Sequence, residues 1–94
     1  MTVAAQLRAS LEEALSPARL EIVDESGRHR GHAGWRPEGE THFRVLVVSA
    51  AFAGRSRVER QRLVHAAAGG LLRERIHALS IRALTPEEDA ASGG

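Results

Sequence analysis

Cysteine is absent from these 94 residues. No disulfide framework is therefore available, and no metal site can take thiolate sulfur from this chain alone. Lysine is absent too: the thirteen basic residues are all arginine, against twelve acids. The resulting net charge of +1 is too small for whole-domain electrostatics to imply a nucleic-acid partner. No apolar run approaches the length of a membrane span, and nothing at the N-terminus resembles a secretory signal. A cytoplasmic setting with no membrane association is the simplest expectation. An activated nucleophile or a paired-carboxylate arrangement is also missing, so an enzyme is not expected.

What is present suits one small domain, with 43% hydrophobic residues to fill a single modest core. Val3, Leu7, Leu11, Ala14 and Leu15 recur at helical spacing until Ser16-Pro17 stops the pattern. Leu20 and Ile22 alternate with Glu21 in a short strand, residues 19–25. Five breakers follow (Gly27, Gly31, Gly34, Pro37 and Gly39). The run THFRVLVVSA, residues 41–50, is the clearest strand, with Phe43, Val45 and Val47 on one side and Leu46 and Val48 on the other.

A helical turn is expected around residues 50–54, and Ser56 with Glu59 forms a capping box that opens the next helix. Its apolar positions include Val58, Leu63, Val64, Ala68, Leu71 and Leu72. The internal Gly69-Gly70 pair weakens it by about 1 kcal/mol per glycine relative to alanine. HALSIRAL alternates as a last strand, and EEDAASGG reads as a frayed end. The predicted order is αββααβ, an α+β domain over residues 1–88 with a flexible tail at 89–94. Its three-stranded mixed sheet packs against the helices. The first two strands form an antiparallel hairpin, and the second and third run parallel through a helical crossover.

That topology gathers distant histidines. The loop carrying His29 and His32, the start of the second strand at His42, and the start of the third at His77 meet at one edge of the sheet. Taken alone, His77 reads first as a structural histidine at a strand start, and His29 and His32 as solvated loop residues. His42 alternates away from Phe43 and reads as half-exposed and structural, while His65 is helical and remote. Zinc held by His29, His32 and His42 is not expected, since their spacing matches no closed zinc motif. Trp35, in the same glycine-rich loop, serves either as a loop anchor or as a contact for a docked partner. Ser49 and Ser56 are accounted for by strand and cap.

Several segments together resemble the BolA family: LEEALSPARLEIVDES, GHAG, GETHFRVLVVSAAFAGRS, VERQRLVHAA and IHALSIRALTPEE, covering roughly residues 5–88. The resemblance implies an α/β sandwich related to type II KH domains. It also implies partnership with a monothiol glutaredoxin and a shared [2Fe–2S] cluster, in iron–sulfur assembly, trafficking or iron regulation. The glutaredoxin and glutathione supply sulfur to that cluster and the BolA-like chain supplies histidine. Carried onto this sequence, the ligands are His77 and a loop histidine, His32 or alternatively His29. A cysteine-free chain fits that division, because it can offer a cluster only nitrogen or oxygen. Ligation by imidazole in place of thiolate also raises the reduction potential. Gln61 departs from the family's Arg-His-Arg but lies away from the histidine edge. Alone, the chain is expected to be a monomer or weak homodimer and to hold no cluster.

Because some BolA-like proteins are regarded as transcriptional regulators, a DNA-binding surface is the second expectation. Its residues are Arg55, Arg57, Arg60 and Arg62, around a turn and helix that carry few acids. FAGRSR offers no Gly-X-X-Gly clamp, so KH-style RNA binding is disfavoured. This surface is expected at the other end of the sheet from His77, roughly 25 Å away for a strand of about eight residues.

Overall fold

The computed structural model describes residues 2–25 and 42–92. Helix α1 runs Val3–Leu15 and buries Val3, Leu7, Leu11 and Leu15 in one stripe. The spacing of four keeps all four on one face. Thr2 starts the helix, its side chain accepting from the Ala5 N–H. Ser16 ends it in the left-handed conformation, with φ 44°.

Strand β1, Arg19–Asp24, pairs antiparallel with β2, His42–Val48. Strand β3, Ala78–Leu84, lies parallel on the other side of β2, giving the order β1-β2-β3. The sheet therefore has the predicted mixed topology. In β2 the alternation holds: Phe43, Val45 and Val47 are buried and join α1 in the core. Val48 is buried as well.

Ser49 is 1% exposed. Its Oγ donates to the Leu15 carbonyl at 2.6 Å and accepts from the Ala51 N–H at 3.1 Å. One hydroxyl thus ties the end of α1 to the 3₁₀ turn Ala50–Phe52, which delivers Phe52 fully buried into the core. The extra turn expected near residue 50 is this one.

Helix α2, Arg57–Ala68, opens with the expected capping box between Ser56 and Glu59. The backbone bond from Ser56 holds the Glu59 carboxyl below its ordinary range. Only the inner face is buried, at Val64 and Ala68; Val58, expected among the apolar positions, is 57% exposed. Gly69 does more than weaken the helix. With φ 58° and ψ −134° it stops α2, and a separate helix, α3, covers Gly70–Glu74. A residue with a side chain is strained in that backbone region.

The C-terminal segment differs from expectation. Pro86–Ala91 is a helix, α4, with its own capping box between Thr85 and Glu88. The helix therefore runs past residue 88, and its Asp89 pairs with Arg19 at 2.9 Å. Proline at the first helical position and three acids in the first turn suit a helix start. The composition EEDAA hides this because α4 buries no residue of its own.

A continuous core joins α1, the inner sheet face, Phe52, Val64, Ala68 and Ile76. Each fully buried large side chain contributes about 1.5–3 kcal/mol. The core fixes β2 and β3 against each other, and both candidate sites hang on their ends.

Candidate functional site

His42 is the first residue of β2, and the parallel register sets it opposite Ala78. His77 immediately precedes that residue. The two imidazoles stack, with ring centroids 5.9 Å apart and planes inclined by 11°. His77 is exposed and His42 half-buried. Beside them the Glu25 N–H donates to the His42 carbonyl at 2.8 Å. This bond holds together the two residues that flank segment 26–41 in sequence, Glu25 and His42. Arg44 pairs with Glu25 at 3.2 Å on the same side. His29, His32 and Trp35 lie outside the described residues. Among the described residues no group of three or more histidine, cysteine or acidic side chains is arranged to hold a metal ion.

A second site lies toward the other end of β3. Arg55, Arg57, Arg60 and Gln61 face Ile81–Leu84 and Glu88 across an open cleft of about 720 Å³. Two α2 side chains cap outward-facing carbonyls of this edge strand: Arg60 donates to Ala83 at 3.2 Å and Gln61 to Ile81 at 3.3 Å. Such capping shields an edge that would otherwise be open to pairing with another chain. Arg60 also grips Glu88 through two nitrogens, at 2.6 and 3.2 Å. That guanidinium, together with the Thr85 N–H, holds the Glu88 carboxyl at a pKa of about 2. In return Glu88 pushes the Arg60 pKa upward. Among the described residues, Arg57 and Arg82 carry no ion pair and remain available to an anion.

Three comparisons bear on identity. A family model described as BolA-like protein matches residues 11–88. The chain belongs to the BolA-like family. BolA-like protein 1 of Homo sapiens is 54% identical over 86 residues, covering 92% of this chain and 60% of that protein. The chain thus spans about three fifths of the length of that relative. The solution structure of BolA1 from Mus musculus superimposes with a TM-score of 0.82 at 48% identity, covering 98% of this chain and 72% of that one. The DNA-binding transcriptional regulator BolA of Escherichia coli (strain K12) is 34% identical over 88 residues, covering 94% of this chain and 80% of that protein.

With the BolA-like fold in place, the expected site residues sort clearly. His77 and His42 come together; His65 sits exposed on α2, as expected, away from them. Arg55, Arg57 and Arg60 share the cleft, but Arg62 does not line it. Arg62 instead borders a smaller depression with Val58, Gln61 and His65. Arg82 lines the cleft and was not singled out from the sequence. Alternation in β3 places it on the face away from the core, a signal that exists but does not identify the helix it meets. The cleft begins at Ile81, so it approaches the histidine end more closely than the whole-strand estimate implied. No helix among the described residues is long and apolar enough to cross a membrane.

Proposed function

We propose that this BolA-like chain is a non-enzymatic adaptor that binds a monothiol glutaredoxin and shares or receives its [2Fe–2S] cluster. His77 and a loop histidine, His32 or alternatively His29, act as ligands, and Trp35 contacts the partner. The supporting observation is that strand register brings His42 and the exposed His77 to one edge of the sheet, and that Glu25 and His42, which flank in sequence the segment carrying His29 and His32, are bonded to each other at that edge. The donor chemistry fits. This chain has imidazoles and no thiolate, and a glutaredoxin with glutathione has the sulfur that such a cluster requires.

The test mixes the protein with a cluster-loaded monothiol glutaredoxin and glutathione and follows visible circular dichroism. Wild type is expected to create a new spectrum. His77→Ala is expected to abolish it, and His32→Ala to alter it unless His29 is the loop ligand. An unchanged spectrum with wild-type protein would sink the reading.

A second reading is favoured by the cleft: Arg55, Arg57 and Arg82 line an open groove, and a 34% identical relative is named a DNA-binding transcriptional regulator. Here the basic cleft contacts DNA phosphates. Replacing Arg57 or Arg82 with alanine is expected to weaken duplex binding evenly across sequences and to reduce the salt slope by about one unit each. Binding without salt dependence would dismiss it.

A further inference from the structure

We propose that His42 is a positioning residue for His77: its imidazole is a flat platform that holds the neighbouring ring in one orientation. This rests on the reading of His77 as a cluster ligand and adds a residue to that site. The backbone dictates the proximity, since register pairs His42 with Ala78 and leaves His77 one residue away. The side chains complete it, with near-parallel rings at a centroid distance of 5.9 Å, an offset stack within the normal aromatic range. Exposure separates the roles. His77 is exposed, whereas His42 is half-buried at the first position of a strand fixed on both edges.

The geometry also argues against His42 as a second ligand to the same ion. An imidazole lone pair lies in its ring plane. In two rings inclined by only 11°, those lone pairs run side by side and do not converge on one centre. The contribution of His42 is instead conformational. An exposed histidine ahead of a strand samples several rotamers, and each must be frozen out when it is captured by a partner. A ring already stacked has lost much of that freedom before binding.

Two substitutions distinguish platform from ligand. His42→Ala removes the ring, whereas His42→Phe keeps a flat ring of similar breadth and removes both nitrogens. Two readouts apply: affinity for cluster-loaded glutaredoxin, and the side-chain NMR couplings of His77 in the free protein, which need no cluster. His42→Ala is expected to weaken the complex about three- to tenfold, the size of re-freezing one side chain, and to average the His77 rotamers. His42→Phe is expected to restore both. If His42→Phe were as damaging as His42→Ala, His42 would be acting through a nitrogen and the platform idea would be wrong. Unchanged His77 couplings in His42→Ala would overturn it equally. Should His77→Ala leave the cluster spectrum intact, the ligand reading falls and takes the platform's purpose with it. The couplings then still report whether the stack holds the ring.

Discussion

The histidine end and the arginine end of the sheet are assembled by different means. At the histidine end, register alone brings His42 beside His77, because parallel strands begin at the same edge and their first residues become neighbours. At the arginine end, long side chains cross between elements. Arg60 spans from α2 to the β3 backbone and the α4 carboxylate, and Arg19 reaches from β1 to Asp89 and Glu21. Those two acids push the Arg19 pKa upward, Glu21 more strongly. The histidine pair depends first on the core that fixes the strands, whereas the arginine end depends on ion pairs between elements and responds to acid through Glu88. The lesson is that the same three-stranded sheet can carry one site set mainly by strand register and another set by charged side chains that reach between elements.

The most severe way to break this contrast is to damage what both ends share. Phe52→Ala empties a fully buried position in the core. It is expected to cost about 3–5 kcal/mol, read by urea denaturation, with amides near His77 and near Arg60 losing protection together. Protection lost at one end only would show that the ends fold independently.

Ser49→Ala acts close to the arginine end. It leaves the Leu15 carbonyl without the hydroxyl that serves it, at an expected cost of about 1–3 kcal/mol in the same denaturation measurement. Gly69→Ala is the counterpart on the approach to His77. An added Cβ meets nothing closer than 3.9 Å, so the cost is backbone strain alone, at least about 1 kcal/mol. Hydrogen exchange is expected to rise first in α3. A neutral or stabilising effect would mean that α2 and α3 can merge into one helix.

The smallest effect is the sharpest discriminator. Glu88 titrates at about 2 in the fold, against an ordinary value of 4.5. Because the folded-state pKa is depressed, its ion pair contributes stability above pH 4.5, and that contribution fades as pH falls toward 2. Amide protection in α4, measured as exchange relative to the intrinsic rate at each pH, is therefore expected to fall across that window in wild type. In Glu88→Gln it is expected to be low already at neutral pH. The spacing of the His42–His77 rings, followed by NMR in Glu88→Gln at neutral pH, is expected to stay as in wild type. Coupled changes at both ends would break the comparison.

Much of this was legible in local pattern. The four-residue stripe of α1, the alternation of β2 and the capping box at Ser56 are signals that short stretches carry by themselves, because helix and strand periodicities and caps are local physics. The convergence of His42 and His77 followed from topology, but their stacking did not, since ring orientation depends on side-chain packing across strands. Arg82 is not legible as a cleft residue because Arg57, Arg60 and Gln61, which line the cleft with it, are some twenty residues away in sequence. Val58 was misjudged for the same reason: an apolar residue on a helix is placed inside or outside by where the helix docks.

By itself, then, the sequence determined the main helices and strands, the direction of the strands, the family and the absence of any thiolate. Tertiary structure decided the rest: the break at Gly69, the folding of α4 onto Arg19 and Arg60, the arginines that share a cleft and the histidine that lies flat on His77. Those outcomes depend on distances between residues remote along the chain, and only the docking of helices on a sheet sets such distances.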